Sequence, residues 1–285
     1  MSFTAEQLAQ FRAAMLDTWN VPIHVEKYIV YEDAFTQTFQ AVTELLIDAI
    51  DPKPGQRILD IATGTGPTAF ALAQRVGPSG GVHGTDISTE FVRYVQSRAA
   101  AAGLSNVTAE LLDVHDLAVV QDFDAAVCRF AVMYFADPID ALRRIRTALR
   151  SGGRFATAVW TDPSQALFAS TFGSLSRFVE LPAPLPGAPS AFRYAQPGTL
   201  AAEFTDAGFV DVAETTHEIA AHWPGTGADV WDFFAGALQT PLATLDDATR
   251  TQLDAEVAAS FDARRDDNGI SLPLRLHITI GTTPG

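Results

Sequence analysis

The sequence predicts a doubly wound α/β fold built on a mainly parallel sheet, and three observations predict it. From Arg57 to Trp160, short apolar runs alternate with helix-length amphipathic stretches, the pattern of successive βα units. A glycine-rich turn follows the first run. The helices between the runs begin and end at residues suited to those positions. A chain of 285 residues, 47% apolar and 19% charged, can bury the core that such a sheet needs.

Taken in order, a leader comes first. It has a helical pattern around Glu6–Leu16, a break at Asn20-Val21-Pro22, and a second pattern through Phe35–Ile50 that Pro52 and Pro54 stop. The strand candidates are Ile58–Ile61, Val82–Thr85, Val107–Leu111, Phe123–Cys128 and Arg154–Val159. Helices open at Pro67, run from Ser88 to Ala102, and run from Pro138 to Leu149. Ser88 and Asp137 suit N-caps, Pro67 and Pro138 the first helical position, and Gly103 a left-handed C-terminal cap. An insertion follows Trp160, with an amphipathic stretch Ser164–Val179 and a proline-rich run Leu181–Gly187. The alternation resumes with a helix at Thr199–Ala207, a strand at Val210–Thr216, helices at Asp229–Leu238 and Asp246–Ala263, and a last strand at Arg275–Ile280. No internal repeat is visible.

Composition narrows the function classes. A net charge of −15 repels phosphate backbones and anionic surfaces, so nucleic acid and membrane are not expected partners. Cys128 is the lone cysteine, which excludes an internal disulfide framework and a cysteine-rich metal site. His217 and His222 are the only histidines at close spacing, and no bound metal is expected. The start of the chain lacks a basic region followed by an apolar stretch, and no apolar run is long enough to span a bilayer, so the cytoplasm is the expected location.

The chemistry concentrates at Asp60-Ile61-Ala62-Thr63-Gly64-Thr65-Gly66-Pro67, where glycines let backbone approach a ligand and the next helix presents free N–H groups. Gly64 to Ala69 also fits the dinucleotide fingerprint, with Asp86 at the spacing of a ribose-binding acid, so a nicotinamide-dependent oxidoreductase stays open on this ground. Asp60 and Asp113 add two more strand-end carboxylates, so that three acids converge at the carboxyl edge of the sheet. They suit an ammonium at Asp60, a ribose diol at Asp86 and an exocyclic amine at Asp113. Asp60 has a second reading, in which it only fixes the turn.

These residues, with Gly84-Thr85-Asp86-Ile87-Ser88, Phe123–Phe130 and Leu149–Arg154, resemble the class I methyltransferases of the ubiquinone/menaquinone-biosynthesis-like branch, in detail from Arg57 to Trp160. The resemblance implies a Rossmann-like, seven-stranded sheet with an antiparallel last strand, N-terminal helices and helical lid insertions. It implies S-adenosylmethionine as cofactor and S-adenosylhomocysteine as product. On its pattern the turn at Ala62, Thr63, Gly64 and Gly66 wraps the methionine part, Asp86 takes the ribose, and Asp113 with Val114 meets adenine. Ile87 packs on the ring, and backbone at Cys128 or Arg129 helps hold the methionine amino group. Ala62 stands where many members carry glycine.

The organisation expected is a helical cap at 1–55, a cofactor-binding core at 56–160, a lid at 161–196, and a segment at 197–285 that completes the same sheet around a helical insertion. Tyr28, Tyr134, Trp160, Trp223 and Trp231 are candidates to line the acceptor, with Phe233 and Phe234 beside them, and His222 is a weak candidate base. Methyl transfer from a sulfonium is an in-line displacement with an already activated electrophile, so alignment and exclusion of water can suffice. The activity implied is transfer to oxygen, carbon or nitrogen of a small, largely apolar or aromatic metabolite, by a monomer or a homodimer. Binding of the same cofactor without methyl transfer is the other alternative.

Overall fold

The computed structural model describes residues 3–181 and 185–285; positions 182–184 of the proline-rich run lie outside the described residues. Four helices precede the sheet: α1 (Ala5–Trp19), α2 (Pro22–Val30), α3 (Glu32–Thr38) and α4 (Gln40–Ile50). The sequence pattern suggests only two. The break at Asn20–Pro22 starts α2 rather than a loop, because Pro22 takes the first helical position. The stretch from Phe35 divides at Phe39, and α4 ends on Asp51 in the left-handed region at φ 48°.

The sheet begins with β1 (Arg57–Ile61), α5 (Pro67–Val76), β2 (Gly81–Asp86), α6 (Thr89–Ala101), β3 (Val107–Leu111), β4 (Phe123–Arg129), α7 (Pro138–Ala148) and β5 (Leu149–Trp160). It continues through α8 (Ala166–Leu175), α9 (Thr199–Asp206), β6 (Val210–Trp223), α10 (Gly227–Ala235), α11 (Gln239–Leu242), α12 (Asp247–Asp262), β7 (Arg265–Asp266) and β8 (Gly269–Thr282). The strand order is β3-β2-β1-β4-β5-β8-β6, with the two-residue β7 paired to β8. The first five strands are parallel, and β8 runs antiparallel to both β5 and β6. Ile58, Leu59 and Ile61 of β1 are all buried, as a strand covered on both faces requires. The order reverses between β1 and β4, which opens a crevice above the carboxyl ends of those strands.

Two boundaries differ from the sequence reading in a way that matters. The strands expected at Val210–Thr216 and Arg275–Ile280 pair from Val210↔Thr282 out to Trp223↔Ile270, whereas β5 stops at Trp160↔Leu276. A two-stranded arm therefore rises past the carboxyl edge and carries α10 to α12. Pro273 sits in this outer part of β8, where one side of the strand has no neighbour to miss its N–H. Among the caps, Asp137 accepts from the Asp140 amide at 3.1 Å and Gly103 is left-handed at φ 65°. Ser88 occupies the N-cap of α6, but its side chain makes no cap bond and its Oγ is buried without a partner. No helix among the described residues is long and apolar enough to cross a membrane.

Candidate active site

The crevice at the β1/β4 reversal is a cavity with a polar floor and an aromatic wall. Its floor is the sequence after β1. Ala62 (φ 55°) and Gly64 (φ 57°) are both left-handed, and the chain then enters α5 through Gly66. An L-residue held there costs about 1–2 kcal/mol, so Ala62 carries strain that glycine would not. A side chain at Gly64 would point into open space. At Gly66 it would meet the Phe70 ring at 2.8 Å and Val95 at 3.0 Å, so this glycine lets the turn pack rather than lining the cavity.

Three carboxylates reach the cavity from three strand ends. Asp60 is 1% exposed, and its Oδ2 accepts from the Thr63 hydroxyl at 2.7 Å. Burial pushes its carboxyl up to about 7, against the pull of Thr63 and Arg129. Asp86 accepts from the Gly64 amide at 2.8 Å through one oxygen and from the Ser88 amide at 2.9 Å through the other. It thus ties the glycine turn to the start of α6, and burial raises it to about 6. Asp113 accepts from the His115 amide at 2.9 Å and ring Nδ1 at 2.7 Å, and from Arg12 Nε at 2.9 Å. Burial alone would push its carboxyl up, but these partners outweigh it and hold the group down at about 2.

The wall opposite comes largely from the leader. Met15, Trp19, Tyr28 and Phe35 face the cavity beside Phe130 and Tyr134. Tyr28 touches Trp19, Phe35 and Phe91, with ring centroids 6.0, 5.2 and 5.6 Å away. The hydroxyls of Tyr28 and Tyr134 have no hydrogen-bond partner among the described residues, and burial raises both, Tyr134 to about 12. They therefore hold their protons at neutral pH. Phe130, at φ 60°, ends β4 and stacks on Trp160 at 3.9 Å with the rings 6° apart.

Residues 52–177 match the model of a methyltransferase domain. The nocamycin O-methyltransferase of Saccharothrix syringae is 29% identical over 245 residues, covering 82% of this chain and 88% of that one. The demethylmenaquinone methyltransferase of Geobacillus kaustophilus is 30% identical over 176 residues, 55% of this chain and 72% of that one. The chain belongs to the S-adenosylmethionine-dependent methyltransferase family. A phosphoethanolamine N-methyltransferase from Haemonchus contortus, solved with S-adenosylhomocysteine, superposes with a TM-score of 0.58 at 18% identity, over 90% of this chain and 57% of that one. At that identity it speaks for the fold alone, a Rossmann-like sheet with an antiparallel last strand.

The methyltransferase brings together most of its sequence-predicted site residues. Asp60, Ala62, Thr63, Gly64, Asp86, Ile87, Asp113, Val114, Arg129, Tyr28 and Tyr134 all line the one cavity. Others lie elsewhere. Cys128 is fully buried behind the cavity, its carbonyl accepts from Thr157 Oγ1 at 2.7 Å, and burial pushes its thiol up to about 12. Trp160, Trp223 and Trp231 do not reach the lining. Trp160 backs Phe130, Trp223 packs on Tyr31 and Phe233, and Trp231 donates Nε1 to Asp254 at 2.6 Å. Phe130 stands between Trp160 and the cavity, and Phe233 of α10, which packs on Trp223, lies against the lining residue Tyr28 at 4.8 Å. His222 sits on a separate outer groove with Nε2 3.0 Å from Asp266, so it is not brought to the site as a base.

Sequence reasoning missed Arg12, Met15, Trp19, Phe35, Phe91 and His115. A signal for three of them exists. Arg12, the lone basic residue of α1, shares one helical stripe with Met15 and Trp19. Among the described residues no group of three or more His, Cys, Asp or Glu side chains could hold a metal ion.

Proposed function

We propose that this methyltransferase holds S-adenosylmethionine across the β1/β4 reversal and transfers methyl to oxygen or carbon of a small acceptor with apolar or aromatic surface. The convergence of Asp60, Asp86 and Asp113 on one cavity carries the reading. That donor set fits the cofactor: carboxylates suit an ammonium, a ribose diol and an exocyclic amine, and Gly64 leaves open space where a side chain would intrude. It fits a dinucleotide worse, because buried Asp60 at the end of β1 would face the pyrophosphate. In this reading Asp86 takes the ribose hydroxyls, Asp113 and the Val114 amide the adenine, and Ile87 the ring face. Asp60 takes the ammonium beside backbone at Arg129.

The bound cofactor supplies an already activated methyl group. What the chain contributes is alignment and a dry site. Trp19, Tyr28, Phe35 and Tyr134 cover the acceptor end, and the protonated hydroxyls of Tyr28 and Tyr134 can donate to an acceptor oxygen but cannot act as bases at neutral pH. The proton acceptors that line the cavity are already bonded, Asp60 to Thr63, Asp86 to the Gly64 and Ser88 amides, and His115 to Asp113 and the Asp137 amide, so in this reading the acceptor loses its proton to solvent before or after transfer. The relatives' names, one a nocamycin O-methyltransferase and others ubiquinone/menaquinone biosynthesis C-methyltransferases, favour oxygen or carbon over nitrogen. Calorimetry with S-adenosylhomocysteine and NADH tests the cofactor, with micromolar or tighter binding expected for the first and none for the second. Turnover assays with radiolabelled cofactor and phenolic, enolic and carboxylic acceptors test transfer. Tight cofactor binding without label transfer to any of them would favour binding without transfer.

A further inference from the structure

Arg129 is a cation on the floor of the cavity that the protein leaves without a counter-ion. Its guanidinium makes a single hydrogen bond among the described residues, from Nη1 to Thr43 Oγ1 at 2.9 Å. The Phe35 ring centre lies 5.2 Å from its central carbon and covers one face. Asp60 and Tyr28 are near enough to favour its charge, yet no carboxylate oxygen among the described residues lies within 4.0 Å of it. None of its nitrogens is among the buried atoms lacking a partner, and the residue lines the cavity, so its remaining donors open onto that space. The other arginine of the cavity, Arg12, is spent on Asp113 and Asp116.

A charge taken from water needs pairing, and a guanidinium fork matches a planar carboxylate through two parallel hydrogen bonds. A phosphate dianion fits worse, because Asp60 and Asp86 line the same floor. The left-handed turn at Phe130 directly after Arg129 ends the strand there and holds the side chain at the junction between the glycine turn and the leader.

We infer that Arg129 is a carboxylate receptor of the cavity, completing with a ligand's carboxylate the ion pair that the chain itself does not make. Two sources can supply that group: the amino-acid end of the cofactor, where Asp60 would take the adjacent ammonium, or an acidic acceptor held against Tyr28 and Phe35. The first source rests on the cofactor reading proposed above, and the second does not need it.

The test compares wild type with Arg129→Gln and Arg129→Met by calorimetry against S-adenosylhomocysteine and against 5′-methylthioadenosine, which lacks the amino-acid end. Saturation-transfer NMR follows benzoate as the acid probe. A tenfold to hundredfold loss for S-adenosylhomocysteine, with 5′-methylthioadenosine unchanged, assigns the carboxylate to the cofactor. Unchanged nucleoside binding with loss of the benzoate signal assigns it to the acceptor. Equal losses for both nucleosides, or no change with any probe, overturns the inference. If wild type binds neither nucleoside, the cofactor reading falls and benzoate alone decides Arg129. Thermal melting separates ligand binding from structure: removal of a half-buried charge without a counter-ion in Arg129→Met should leave the ligand-free Tm unchanged or raise it. A fall of more than about 5 °C would mark Arg129 as structural and overturn the proposal.

Discussion

At the β3 end of the cavity, Asp113 has its bonds made before any ligand arrives, with His115 on one oxygen and Arg12 on the other. At the β1 and β4 end, Asp60 has one hydroxyl partner and Arg129 another, and the two charges do not pair directly. The first end is preorganised and holds its carboxylate ionised; the second is underpartnered, and burial works against charge on both residues. Ligand binding therefore does different work at the two ends. On the reading proposed above, it exchanges or adds to existing bonds at Asp113, and it supplies missing ones at Asp60 and Arg129.

The largest effect is expected between the two ends, at Asp86. Its oxygens anchor the turn and α6 as well as facing the cavity, so Asp86→Ala should weaken S-adenosylhomocysteine binding tenfold to a hundredfold, from charge-assisted bonds of about 1.5–3 kcal/mol. Calorimetry on a folded variant measures it, and unchanged affinity would remove Asp86 from the site.

Asp60 tests the underpartnered end through pH. Burial puts its carboxyl at about 7 in the folded protein against an ordinary value of 3.8, so the folded state keeps the proton between those limits. Ligand-free stability should therefore fall as pH rises through that window, and Asp60→Asn should flatten this part of the curve. Binding of an ammonium needs the ionised form, so wild-type affinity for S-adenosylhomocysteine should rise about tenfold from pH 6 to pH 8, since one unit either side of the pKa changes the ionised fraction about tenfold. The Asn variant should lose that slope. A slope equal to that of wild type would show that Asp60 does not meet the ammonium.

Smaller changes are expected at the preorganised end. The Arg12 side chain is 35% exposed, and partly exposed ion pairs contribute about 1 kcal/mol or less. Arg12→Ala should speed dissociation of S-adenosylhomocysteine about threefold to fivefold in stopped-flow fluorescence, an effect that high salt should mimic in wild type. Smallest should be the effect on binding at Trp231, outside the cavity. Trp231→Phe should keep cofactor affinity within about threefold while costing about 1 kcal/mol of stability for the lost bond to Asp254. A larger loss of affinity than of stability would return Trp231 to the site.

The sequence by itself determined the βα alternation, the glycine turn and the three strand-end acids, because these depend on local rules. Strand-end position follows from periodicity, and carboxyl ends of parallel strands share one edge. Ala62 was visible as a departure from glycine, but its φ of 55° was not. What only the tertiary structure decided is which aromatic residues reach the ligand. Trp160, Trp223 and Trp231 read as lining residues while Trp19 and Phe35 did not, since an aromatic ring's place in the sequence carries no mark of which layer it enters. The four-helix leader, inserted beneath the arm of β6 and β8, gave the lining to Met15, Trp19, Tyr28 and Phe35 and left the tryptophans as backing. The pairing of Arg12 with Asp113, across 101 residues, and the isolation of Arg129 are contacts of the same long-range kind. They arise from where whole elements dock, and no local pattern encodes that.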